Sequence, residues 1–267
     1  MTTAASPRST RLLSSSLSVC THRGGVEIVD QLAPEWRDLC SESADDQIFY
    51  RPEFIRAHIR AKIPTARLVI ITVRQEERLR FLLPLIEERS TFSKIPVRRL
   101  REPADLNCGR FDGVRSAGAQ GEAAILAAWR HLREMGGWDV LQLRFSLAGS
   151  TTGRLASAAE ADGFLTVHES DRPNPYVPVP TDPALLEQMP RNSKLRSQLR
   201  QIRRKIAEQG TMELRCVENA DPAALDRLFA LEASGWKGRA GTAVNDQPAG
   251  RQFFNQLAEA AGSFGHL

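Results

Sequence analysis

The stretch Arg67-Leu-Val-Ile-Ile-Thr-Val73, followed by a charged turn over 75–78 and by Leu79-Arg-Phe-Leu-Leu-Pro-Leu-Ile86, decides the fold class. The first run is almost continuously apolar and β-branched, as in a strand buried on both faces. The second run pairs back on it as a hairpin. Pro84 cannot donate to a ladder, so the second strand carries a bulge or an edge at that point.

Working outward from the hairpin, helices and strands alternate. On the N-terminal side, residues 26–30 alternate and predict a short strand. Pro34 suits a first helical position, with Trp36 and Leu39 giving that helix its apolar side. Phe54, His58 and Ile59 repeat on a second helix, where His58 reads as a core or rim residue rather than a catalytic base. On the C-terminal side come a weaker strand over 97–100 and an aperiodic loop over 105–112. A glycine turn, Gly118-Ala-Gln-Gly121, precedes a helix bearing Ile125, Leu126, Trp129 and Leu132. Residues 138–143 predict a strand, 154–161 a helix, 164–168 a further strand and 176–180 an extended segment. This order predicts a mixed α/β domain over 25–180, with flanking helices on its sheet.

Residues 181–210 read as a short linker helix and then a basic helix. Leu195, Leu199, Ile202 and Ile206 fall at helical spacing, and Gly210 stands at the C-terminal cap. Residues 191–210 hold seven basic residues and one acid, a net of +6 in a chain of net +4, so the remainder is acidic by −2. Such a density suggests an anionic ligand, with Lys194, Arg196 and Arg200 as its contacts. The alternative is a solvated face whose stems cover a domain junction. From 211 the opening pattern returns. An alternating strand runs over 212–217, Asp221-Pro222 caps a helix with Leu225, Leu228 and Phe229, and a further helix carries Phe253, Phe254 and Leu257. The expectation is a second sheet domain over 211–267 that is incomplete.

Hydrophobic and charged fractions of 42% and 25% are those of a globular chain, and no run is long enough to span a membrane. The start, residues 1–24, reads as a disordered leader. Cysteines at 20, 40, 108 and 216 show no metal-type or redox-type spacing, and the histidines are scattered. The expectation is therefore no metal and reduced thiols in a cytoplasm. Arginines without interleaved aromatics argue against nucleic acid.

The element order of 26–180 is similar to the GNAT acyltransferase fold. The basic helix with Lys194, Arg196 and Gly210, followed by Glu232…Trp236-Lys237-Gly238…Gly241-Thr242, resembles the CelD-like branch of cellulose and polysaccharide-biosynthesis acyltransferases, related to the FemABX peptidyltransferases. The resemblance implies tandem GNAT-like mixed sheets, the second incomplete. It also implies acyl-CoA, acetyl-CoA above all, as co-substrate, and an amine or hydroxyl acceptor. GNAT enzymes hold the CoA pyrophosphate on a glycine-containing loop, which in the second half would lie beyond Leu267, so this chain alone is expected to be inactive. Acyl transfer needs a positioned nucleophile, a base and oxyanion donors. Trp236 and Lys237 on their glycine-flanked loop are the candidate acceptor-site residues, with Trp236 equally readable as core and Lys237 as solvated. Glu232 reads as a base or as a surface carboxylate. The runner-up function is a non-catalytic polyanion- or nucleic-acid-binding module built on the basic helix.

Overall fold

Alternate residues of strand β2 (Arg67–Gln75) face two different cores. Val69, Ile71 and Val73 join one cluster, while Leu68 and Ile70 join the other. Strand β3 (Arg78–Phe92) does the same, with Phe81, Leu83 and Leu85 on the first face and Leu82 and Ile86 on the second. This is the period-two geometry of a strand with apolar side chains on both sides. A register shift between Val73 and Arg74, opposite Arg80, reverses the parity, so Leu79 joins the second core.

The computed structural model describes residues 16–105, 108–147, 149–169, 179–182, 193–211, 213 and 220–261. Contacts divide the chain into two units: residues 1–166 with 218–267, and residues 167–217.

The first unit holds a six-stranded sheet in the order β1-β2-β3-β4-β6, with β5 also paired to β3. Strands β1 (Leu17–Gly24), β2, β3, β4 (Ile95–Arg101) and β5 (Val114–Arg115) pair antiparallel, and β6 (Val140–Gln142) runs parallel to β4. The expected mixed α/β architecture is present. Pro84 falls where the outer side of β3 has no partner strand, after the β5 pairing at 81–82 and before the β4 pairing at 86–92. The expected local edge is thus real.

Helix α1 (Glu27–Glu42) covers one face through Ile28, Leu32, Trp36 and Leu39. Helix α3 (Gly118–Met135) covers the other through Ala124, Ile125, Ala128 and Leu132. Helix α2 (Pro52–Lys62) contributes to both cores, with Phe54 and Ala57 in one and Ile55 and Ile59 in the other. Helix α4 (Thr151–Ala161) adds Leu155 and Ala159 to the α3 side.

Two expectations at the N-terminus are corrected. Residues 26–30 do not form a strand: Glu27 already belongs to α1, and Pro34 lies inside the helix. Five alternating residues cannot outweigh an apolar stripe that continues at helical spacing through Leu32, Trp36 and Leu39. The edge strand is instead Leu17–Gly24, paired along its length with 68–75 within the stretch read as a leader. Residues 164–168 also form no strand; Phe164 packs on Trp129 and Trp138, with ring centroids 5.1 Å and 6.1 Å away. The expected strand over 212–217 and most of the linker helix lie outside the described residues.

Past the second unit, α6 (Pro222–Ser234) is capped by Asp221, whose Oδ1 accepts from Ala223 N and Ala224 N at 3.0 and 3.1 Å. Helix α7 (Trp236–Arg239) and helix α8 (Pro248–Ala261) follow. Phe253 of α8 is 1% exposed and meets the Phe54 ring of α2 edge-on at 5.3 Å. The sequence expectation left this side chain without cover. The α3-side core supplies that cover, and contacts group 218–267 with the sheet. Phe253→Ala should therefore lower unfolding free energy by about 3–5 kcal/mol in urea denaturation, the cost of emptying a buried aromatic site. A change within about 0.5 kcal/mol would mean that α8 does not dock there.

The loop after β4 is anchored by Asp112. Its carboxylate accepts from Thr151 N at 2.8 Å, from Thr152 N at 2.7 Å and from Thr152 Oγ1 at 2.8 Å, at the start of α4. Burial raises the Asp112 pKa, against the opposing pull of these hydrogen bonds. Asp112→Ala would leave several buried donors without an acceptor, and should cost about 2–4 kcal/mol by the same measurement.

Candidate functional site

Three places in the described residues bring chemistry-bearing side chains together. The first is the glycine-flanked motif after α6. Glu232 accepts from Lys237 Nζ at 2.5 Å through one carboxylate oxygen and from Val244 N at 2.8 Å through the other. These bonds, that from Lys237 first, hold the Glu232 carboxyl below the usual range. A carboxylate that stays ionised and has both oxygens engaged is a poor proton acceptor at neutral pH. Glu232 clamps the turn between Lys237 and Val244.

The two glycines in this motif have backbone reasons. A Cβ on Gly238 would lie 1.8 Å from the Ala233 carbonyl oxygen, and Gly241 has φ +66°. Thr242 N then closes on Lys237 O at 2.9 Å, and Asp246 Oδ2 accepts from Ala243 N at 3.2 Å. The turn presents Trp236, 67% exposed, at the head of α7. Of the two sequence readings of Trp236, core and site, the structure excludes core. Gly238→Ala should disrupt this turn, seen as a rise of about ten-fold or more in amide exchange over 236–244, because the added carbon meets backbone that cannot yield. Unchanged exchange would contradict the close approach.

The second place is the groove where β4 and β6 pair over only Arg99–Arg101 and Val140–Gln142. A space of about 350 Å³ is lined by Glu88, Arg99, Arg101, Ala104, Gln142 and Arg144. Arg99 Nε and Arg101 Nε each donate to Glu88 at 2.9 Å, and Arg99 also reaches Gln142 Oε1 at 2.9 Å. Burial pushes the Glu88 pKa up, but the hydrogen bonds from Arg99 and Arg101 outweigh it and leave it lowered. Arg144 Nε donates to Glu102 Oε1 at 2.6 Å, while Glu102 is fully buried and its Oε2 has no hydrogen-bond partner among the described residues. Three guanidiniums face two carboxylates, so the groove is net cationic and suited to an anion. Sequence reading missed it: Arg98-Arg99-Leu100-Arg101 was legible only as a weak strand, and the partners Gln142 and Arg144 lie some forty residues on.

The third is a set of His58, Asp105 and Cys108, whose potential ligand atoms all lie within 4.8 Å of one another. Burial lowers the His58 pKa to about 4 and raises that of Cys108 to about 11. His58 is thus the buried residue its sequence context predicts. Its convergence with two loop residues is not visible in sequence, where forty-seven positions separate it from Asp105.

The remaining sequence candidates lie in the second unit. Helix α5 (Ser193–Gln209) carries exposed Lys194 and Arg200; Arg196 is on the same helix, with its side chain outside the described residues. Its apolar stripe is open, with Leu195, Leu199 and Ile202 each at least 50% exposed. Trp236 and Lys237 adjoin each other on α7, in the first unit.

No curated protein matches this chain. Two solved structures are similar in part. A probable acetyltransferase shares 17% identity over 61% of this chain and 99% of its own, at a TM-score of 0.33. An aminoglycoside acetyltransferase from an uncultured soil metagenomic sample, in complex with sisomicin, shares 10% identity over 59% of this chain and 97% of its own, at 0.32. At those scores neither likeness carries an argument. Residues 193–267, which hold α5 and the Glu232–Thr242 motif, match the acetyltransferase (GNAT) domain model, and that match supports a transferase.

Proposed function

We propose that this chain serves acyl transfer of the GNAT type. An acyl group, acetyl in the first instance, passes from acyl-CoA to an amine or hydroxyl acceptor. The observation that carries the reading is the family match over 193–267, which coincides with the basic helix and the tryptophan–lysine turn. The acceptor heteroatom attacks the thioester carbonyl, the resulting oxyanion collapses, the C–S bond breaks, and the thiolate takes up the proton the acceptor loses. In this reading Lys194, Arg196 and Arg200 meet an anionic group of CoA or of the acceptor. Trp236 offers an exposed ring to the acceptor, and Lys237, held by Glu232, offers a fixed positive charge beside it. The CelD-like resemblance points to a polysaccharide-biosynthesis acceptor, and a cytoplasmic setting supplies the acyl-CoA. Among the described residues no helix is long and apolar enough to cross a membrane.

The test is calorimetric binding of acetyl-CoA by the full chain at low salt. The triple variant Lys194→Ala/Arg196→Ala/Arg200→Ala should lose about ten-fold or more in affinity, and the difference should shrink as salt screens it. Trp236→Ala and Lys237→Ala, placed on the acceptor side, should leave that affinity in place. Equal affinity of the triple variant and its parent would detach α5 from CoA. The exposed basic face of α5 also favours a second reading, a polyanion-binding module. In that case the triple variant would lose heparin binding while the parent shows no acetyl-CoA binding at all.

A further inference from the structure

We propose that His58, Asp105 and Cys108 form a binding site for a zinc-type divalent cation that pins the loop after β4 to helix α2. His58 is 2% exposed, and its Nδ1 has no hydrogen-bond partner among the described residues. That nitrogen lies 4.0 Å from Asp105 Oδ1, too long for a hydrogen bond and too close to be indifferent. Cys108 Sγ is 3.8 Å from the same oxygen, and Cys108 is 3% exposed. A buried imidazole nitrogen with nothing to bond, aimed at a carboxylate and a thiol, is a polar deficit that an ion would satisfy.

The dimensions fit. Ligand bonds of about 2.0–2.3 Å in a tetrahedral site place neighbouring ligand atoms roughly 3.3–3.7 Å apart, so the two separations to Asp105 need to close by a few tenths of an ångström and the third, within 4.8 Å, by about an ångström at most. The donor set, one imidazole nitrogen, one carboxylate oxygen and one sulfur, selects zinc and its cobalt analogue over magnesium or calcium, which want oxygen alone. The backbone already shapes the turn: Cys108 N donates to Asp105 O at 2.9 Å, which brings both loop ligands to the same side. The Asp105 side chain is 35% exposed, which gives an ion its route in and a solvent molecule the fourth position.

On binding, the Cys108 thiol loses its proton to solvent as the metal–sulfur bond forms, while His58 binds neutral through Nδ1 with its proton on Nε2. Nothing is oxidised or reduced. Two cations oppose the ion: Arg101, which acts on His58, and Lys62, whose Nζ lies 2.7 Å from Asp105 Oδ2 and 5.3 Å from the Phe253 ring centroid. The Lys62 charge competes for the carboxylate, so the site should tighten when Lys62 is removed. A purely structural Lys62–Asp105 pair makes no such prediction.

The experiment is a cobalt titration of the chelator-treated full chain in a Cys20→Ser/Cys216→Ser background, which removes an exposed thiol and the one remaining cysteine outside the buried pair. We expect a saturable 1:1 rise of the thiolate-to-cobalt charge-transfer band with strong four-coordinate visible bands, both displaced by zinc. Cys108→Ser should abolish the charge-transfer band, His58→Phe should weaken binding at least ten-fold, and Lys62→Met should strengthen it. Zinc should also raise the Tm of the background protein by several degrees and leave that of His58→Phe unmoved, a readout that stands if Cys108→Ser fails to fold. Absence of the charge-transfer band, its survival in Cys108→Ser, or an equal zinc effect on Tm in His58→Phe would overturn the proposal. Failure of acetyl-CoA binding would leave it untouched.

Discussion

The ladder between β2 and β3 is the constraint on which the rest of the first unit depends. Both strands carry apolar side chains on both faces, so each face must be covered before the hairpin is stable in water. Helix α1 meets one demand, α3 the other, and α2 contributes to both cores. Beyond its ladder with β2, one long β3 serves two further neighbours, β5 near its start and β4 beyond Pro84. That exchange of partners puts the chain after β4 into a loop rather than a third full strand. The segment after β4 carries the buried Glu102, Cys108 and Asp112 and the half-buried Asp105.

The two charged clusters differ in what the fold does with them. In the β4–β6 groove the arginines are partly neutralised by carboxylates: Glu88 is shared by Arg99 and Arg101, and Glu102 is taken by Arg144. What is left over is a modest excess of positive charge in a confined space. On α5 the cations stand with a single acid among them, the Arg204–Glu208 pair at 3.6 Å, and both polar and apolar faces are open. Exposed ion pairs of that kind contribute little to stability.

Where the sequence was legible, a long periodic pattern or an unambiguous cap made it so. The hairpin, the Pro84 edge, the α3 helix and the Asp221-Pro222 cap follow from such signals. The strand read at 26–30 failed because five alternating residues also fit one turn and a half of an amphipathic helix. Strand β1 escaped because Leu17–Gly24 is half polar, as an edge strand with one wet face is. The fate of Phe253 was illegible for a different reason: its cover comes from Phe54, two hundred residues earlier, and no local pattern encodes a contact at that range. The same applies to the groove arginines and to His58, Asp105 and Cys108. In the tryptophan–lysine motif the residues were legible, but the engagement of both Glu232 oxygens by Lys237 and Val244 was not.

The account therefore rests on α8, from the family-matched segment, being part of the same cooperative unit as the sheet. Hydrogen exchange of the full chain, read by mass spectrometry, measures this directly. Peptides covering 248–258 should be protected with the same opening free energy as those covering 67–92, because the Phe253–Phe54 contact couples them. Exchange over 248–258 at the rate of an unstructured chain, with 67–92 still protected, would contradict the account.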